Sequence, residues 1–191
     1  MPLKHTKAYR TNKQTFDTLL TSPPYGDSKT TVAYGQFSTF INEWLGYKNA
    51  RKLDSNLMGG LRAKKLYTKG VIKECIVEIA KIDKKRALEV SSFYDDLESS
   101  IQSLKDSLNI GAKVFFIVGN RRVKNITLPT DKFVAEMFCK YGFRHLQSIK
   151  RKISNKVMPL QNSPTNKTGI LSTTMNEEII VVCEKSLVRQ I

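Results

Sequence analysis

The 191-residue chain has no uninterrupted apolar run long enough to cross a bilayer, and its first residues, Met1-Pro-Leu-Lys-His5, carry no hydrophobic signal core. A membrane span and a secretory leader are not expected, and the expected compartment is the cytoplasm. Cysteine is scarce and odd in number. Cys75, Cys139 and Cys183 are widely spaced and set among apolar residues, which argues against a disulfide framework and predicts buried, reduced thiols. With only His5 and His145 to help them, no metal constellation can be assembled, so no metal is expected. Acidic residues are few: 17 Asp and Glu stand against 32 Lys and Arg, a formal net charge of +15. Such an excess on a domain-sized chain attracts a polyanion, with nucleic acid the first candidate, although a solvated lysine-rich surface has the same composition.

What is present suits one domain: 40% of the residues are hydrophobic, enough for a substantial core. Phe16 to Thr21 reads as a short buried strand, and Phe37, Phe40, Ile41, Trp44 and Leu45 recur at helical spacing. Residues 47–70 hold Gly59-Gly60, many basic residues and few apolar ones in register, the pattern of a long, mobile, basic insertion. Val71, Cys75, Ile79 and Ile82 form a helical stripe. Phe93, Leu97, Ile101, Leu104 and Leu108 form a stronger one, with Ser92 as N-cap and Gly111 just past its end. Lys113 to Gly119 is continuously apolar and predicts a strand covered on both faces. Thr130 can cap a helix bearing Phe133, Val134, Met137, Phe138 and Tyr141, ended by Gly142. Phe143 to Ile153 reads as a strand, 154–174 as a polar loop, and Ile179 to Cys183 as a final buried strand. Strands alternating with helices, then two strands with no helix between, predict an α/β layer fold ending in an antiparallel hairpin.

The chemistry concentrates at Thr21-Ser22-Pro23-Pro24-Tyr25, directly after the first apolar run. Two prolines force the backbone out of strand and helix, so the turn is stiff and holds Ser22 and Tyr25 in place. A hydroxyl and carbonyl oxygens at the carboxyl end of a strand can accept from an exocyclic amine while an aromatic ring stacks on the base that carries it. A Pro-Pro turn is also ordinary loop punctuation. With its surroundings, Phe16 to Gly35, this segment resembles the catalytic loop of the amino-methylating DNA methyltransferases, which carry Ser/Asp/Asn-Pro-Pro-aromatic. The resemblance runs along residues 16–185, including Gly119-Asn-Arg-Arg-Val123 and the polar stretch from Asn155 to Asn166. It covers only the second half of that family's Rossmann-like doubly wound sheet.

The resemblance implies transfer of a methyl group from S-adenosylmethionine to cytosine N4, the target most typical of the Ser form, in a restriction-modification setting. Adenine N6, an RNA or protein amide target, and a degenerate, non-catalytic DNA-binding subunit are the alternatives. It implies Ser22, Pro23, Pro24 and Tyr25 as catalytic residues and Thr21 and Ser22 as the edge of a cofactor site. Phosphate contacts would come from Arg121, Arg122, Lys150, Arg151, Lys152 and Lys156, with Lys64 and Lys65 beside Arg62 in the basic stretch; each cluster also fits a solvated face. The family's glycine-rich cofactor turn after its first strand has no counterpart here, because neither Gly59-Gly60, Gly111 nor Gly119 follows an apolar strand at the needed spacing. A strand from the middle of a larger sheet would then expose one edge, to be covered by a second polypeptide carrying that turn or by a second copy of this chain.

Overall fold

The computed structural model describes residues 15–26, 34–55, 57–153 and 177–187. In chain order they form β1 (Phe16–Thr21), α1 (Tyr34–Trp44), α2 (Ala50–Ser55), α3 (Lys73–Ile82), α4 (Lys84–Leu104), β2 (Leu108–Val118), the short strands β3 (Arg122–Val123) and β4 (Ile126–Thr127), α5 (Thr130–Lys140), β5 (Phe143–Lys152) and β6 (Glu177–Lys185). The sheet order is β1-β2-β6-β5. β1 and β2 are parallel, with Leu20 opposite Phe115, and their connection runs through four helices, as a parallel pair requires. The last strand, β6, inserts antiparallel between β2 and β5. This is the α/β fold expected from the sequence, a mixed sheet ending in an antiparallel hairpin.

One face of the sheet is closed. Val114, Phe116 and Val118 of β2 and Ile179, Val181 and Cys183 of β6 share a core with α3, α4 and α5. Rings interlock edge to face within it: Tyr94 and Phe133 lie 4.8 Å apart, and Phe138 touches both Phe116 and Phe143 at 5.4 and 5.1 Å. Each such fully buried side chain stabilises the fold by roughly 1.5–3 kcal/mol relative to exposure. The other face is different. Register puts Leu20, Phe115 and Val182 in one row across it, and Ile117, Ile180 and Ile149 in the next. Leu20 is 70% exposed and Ile149 is exposed, while Phe115 and Ile117 are only half-buried. Among the described residues β2 is therefore covered on one face, not on both as its apolar run suggested, and β1 is an exposed edge strand instead of a buried one.

Local details depart from expectation for identifiable reasons. α3 buries Ile76 and Ile79, with Ile72 just before it, whereas Val71 and Ile82 are exposed, so its core stripe lies one residue round from the one read in the sequence. α4 begins two turns before Ser92, because Asp83 is the N-cap and its Oδ1 accepts from the Arg86 amide at 2.9 Å. Ser92 lies inside the helix and donates to the Leu61 carbonyl. Leu108 and Gly111 belong to β2, where Gly111 at φ +84° lies in a bulge between the pairs Phe16↔Leu108 and Thr18↔Lys113. Thr130 does not cap α5. Its buried hydroxyl meets the Tyr94 hydroxyl at 2.8 Å, and the helix start is held by Asn120 Oδ1 accepting from the Asp131 amide at 3.1 Å. Of the three thiols, only Cys183 is buried, and burial pushes it up to about 12; Cys75 is half-buried and Cys139 exposed.

Within 47–70, α2 is followed by a segment that meets α4 at single points. The Tyr67 amide donates to Ser91 Oγ at 3.0 Å, the Ala63 amide to the Leu88 carbonyl at 3.3 Å, and the Gly59 amide to Asp96 Oδ2 at 2.9 Å. The Tyr67 ring enters the core, where it meets Phe133 at 5.7 Å.

Candidate active site

The turn at Ser22 to Tyr25 leaves the carboxyl end of β1, and strand directions determine what else gathers there. β2 runs parallel, so Arg121 and Arg122 follow its last residue at the same end of the sheet. β6 is antiparallel, so its first residues arrive at that end, where Glu178 pairs with Arg151 and Glu177 with Lys152 in the register with β5. The structure thus brings Thr21, Ser22, Pro23, Pro24 and Tyr25 together with Arg121, Arg122, Lys150, Arg151 and Lys152 on one rim. Lys64 and Lys65, with Arg62, border a separate cleft of about 470 Å³ lined by residues 61–69 with Ser91, Ser92 and Asp95 of α4. Lys156, the 154–174 loop and the residues Asp27 to Ala33 after the turn lie outside the described residues.

Tyr25 is half-buried, and its phenol lies between two partners. It donates to Glu178 Oε1 at 2.9 Å and accepts from Ser22 Oγ at 3.2 Å. Burial raises the Tyr25 pKa, the Ser22 hydrogen bond lowers it, and Glu178 raises it further, with a net rise. The other oxygen of Glu178 accepts from the Arg151 guanidinium, whose own pKa is raised by that carboxylate. Ser22 itself is exposed, whereas Gly26 just after the turn is buried.

Glu178 was missed in the sequence. The signal was present but weak: Glu177-Glu178 is an acidic pair at the start of the last strand, facing the basic run Lys150-Arg-Lys152 of β5. Arg121 is half-buried with its guanidinium 5.9 Å from the centre of the Phe93 ring, and Arg122 donates to the Asn125 carbonyl at 3.2 Å.

A site for S-adenosylmethionine needs glycines that let a ligand approach the backbone. Gly59 is buried and donates to Asp96, Gly119 is buried at the end of β2, and Gly111 lies in the bulge near the other end of β2. None forms a cradle beside Thr21 and Ser22. These two residues can form one edge of such a site, but the described residues do not build the pocket.

No protein-family model matches the chain. It is 45% identical over 180 residues to the Type II methyltransferase M.MvaI of Kocuria varians, an alignment that takes in 87% of this chain. Looser likenesses occur among solved structures. A candidate DNA modification methylase from Thermus thermophilus, solved with S-adenosyl-L-methionine, has 19% identity and a TM-score of 0.36 over 52% of this chain and 40% of that one. A candidate methyltransferase from Thermoplasma acidophilum has 11% identity and a TM-score of 0.32 over 91% of this chain and 69% of that one. The sequence relationship is the substantial one, and in it this chain spans 40% of the length of the Type II methyltransferase that it matches.

Proposed function

We propose that this chain is the base-holding half of a DNA methyltransferase that modifies an exocyclic amino group, cytosine N4, within a restriction-modification system. The observation that carries this reading is the Ser22-Pro-Pro-Tyr25 turn at the carboxyl end of β1, with Tyr25 and Ser22 hydrogen-bonded to each other and a basic rim beside them. The likeness to a Type II methyltransferase supports it. S-adenosylmethionine supplies an electrophilic methyl when bound, and most of its site belongs to a complementary half that carries the glycine-rich turn. Among the described residues β1 has one unpaired edge and the apolar face with Leu20, Ile149, Phe115 and Ile117 is uncovered, which supports such a partner, either a second polypeptide or a second copy of this chain.

In this role, Ser22 Oγ and the Pro23 carbonyl accept from the target amino group and draw its nitrogen away from conjugation with the ring. Tyr25 stacks on the extruded base and offsets part of the lost stacking, by about 1–3 kcal/mol. Arg122, Lys150 and Lys152 grip the phosphate backbone, and Lys64 and Lys65 extend that grip.

The test is transfer of labelled methyl from S-adenosylmethionine to unmethylated DNA by this chain alone and with its complementary half, with Tyr25→Ala as control and nucleoside analysis of the product. N4-methylcytosine formed by the pair and lost in Tyr25→Ala supports the reading. N6-methyladenine corrects the target base, and no transfer by either sample refutes the enzyme.

A further inference from the structure

We infer that Glu178 is a positioning residue of the Ser-Pro-Pro-Tyr turn: it sets the hydrogen-bond polarity of the loop, so that Ser22 presents a lone pair, and not a hydrogen, to the substrate amine. The inference rests on the base-methylating reading of that loop.

A phenol has one hydrogen, and a carboxylate oxygen can only accept. Tyr25 lies 2.9 Å from Glu178 Oε1, so its hydrogen goes there. The Tyr25 oxygen then has only lone pairs left for Ser22 Oγ at 3.2 Å, so Ser22 must be the donor. With its hydrogen committed to Tyr25, the hydroxyl of Ser22, an exposed residue, has only acceptor pairs left to offer. An exocyclic amino group bound for methylation offers N–H donors, and a serine free to rotate would meet it with the wrong polarity part of the time.

Glu178 is itself held from the far side. Its Oε2 accepts from the Arg151 guanidinium, opposite it in the β5–β6 register. Three elements distant in sequence, the turn after β1, the start of β6 and the end of β5, thus converge on one carboxylate. Arg151 acts here through Glu178, a role separate from contact with DNA.

The variant to make is Glu178→Gln, which keeps the shape but offers an amide that can donate as well as accept. In the chain alone, tyrosine labelled with 13C at the ring Cζ reports the Tyr25 phenol, assigned by its loss in Tyr25→Phe. Glu178→Gln is expected to shift the Tyr25 titration downward. In the chain joined to its complementary half, Glu178→Gln is expected to lower kcat by about 10²-fold, with KM for DNA unchanged. Tyr25→Phe should lose a similar factor, and the double variant little more than either single one, because all three break the same chain.

Full turnover in Glu178→Gln, or losses that multiply in the double variant, would overturn the inference while leaving methyl transfer by the wild type intact. No methyl transfer by the wild-type pair would remove the loop's assigned chemistry and this inference with it. An unchanged Tyr25 titration in Glu178→Gln would mean that the contact does not form in solution, and would also overturn it.

Discussion

The Tyr67 hydroxyl donates to Glu98 Oε2 at 2.8 Å, which joins the basic stretch before α3 to the buried side of α4. The same carboxylate accepts from Lys69 Nζ at 3.1 Å, Lys140 Nζ at 2.6 Å and the Tyr141 hydroxyl at 2.9 Å. Burial alone would raise the Glu98 carboxyl, but these four hydrogen bonds outweigh it and bring it down to about 2 from an ordinary 4.5.

Glu98→Ala should therefore destabilise the chain by about 2 kcal/mol, because the lysines can turn to water but the buried Tyr67 hydroxyl cannot. The pH dependence has a definite sign. A depressed carboxylate contributes stability that is complete above its unfolded value, near 4.5, and that is lost as the pH falls toward about 2. Urea unfolding of wild type and Glu98→Gln should show a gap at neutral pH that closes across this window. A gap that is constant with pH would mean that Glu98 stabilises by packing alone.

Gly70 is a backbone position that the fold does not open to other residues. It has φ +58°, and a Cβ there would lie 2.5 Å from Glu136 Oε2, the oxygen that accepts from the Val71 amide at 2.9 Å. Gly70→Ala should cost about 1–2 kcal/mol from the left-handed conformation. The displaced Glu136 adds to that cost. A shift in the thermal midpoint smaller than that of an exposed Gly46→Ala control would show that Glu136 simply moves aside.

Trp44 is the chain's one tryptophan and is 82% exposed on α1, next to Phe40 at 75%. Trp44→Ser and Leu20→Ser should each leave the unfolding free energy within about 0.5 kcal/mol of wild type. Each should weaken capture of the proposed complementary half by about tenfold or more. Trp44 fluorescence measures both binding and site: a blue shift on mixing places the contact at α1, and no shift on tight mixing excludes it.

Lys150 and Lys152 flank Arg151 at the end of β5, the end of the sheet at which the turn leaves β1. Lys150→Gln and Lys152→Gln should each lower the slope of log binding constant against log salt by about 1, uniformly across DNA sequences. Lys105→Gln, at the opposite end of the sheet, should leave the slope unchanged. Equal slopes in all three variants would mean that the rim lysines only solvate the surface.

Much of the fold was legible. β1, β2 and β6 were visible as apolar runs, and Pro23-Pro24 ended β1 where steric exclusion requires. Helix starts were less so: Ser92 has the chemistry of an N-cap, yet Asp83 holds that place, because several polar residues can cap and only the packing of Val90, Phe93 and Leu97 selects the turn at which the helix begins. The misread stripe of α3 has the same origin, since Val71 and Ile72 are equally apolar and only the core distinguishes them.

The sequence by itself determined the stiff Ser22-Pro-Pro-Tyr25 turn, the strand before it, the positive charge and the lack of a glycine cradle, because each follows from local sterics or from composition. The tertiary structure alone decided that β6 lies between β2 and β5, that among the described residues one apolar sheet face and the β1 edge are uncovered, and that Glu178 meets Tyr25 from 153 residues away. The physical reason is that strand order and hydrogen-bond partners depend on how the whole chain closes over its core, and no local residue pattern encodes that closure.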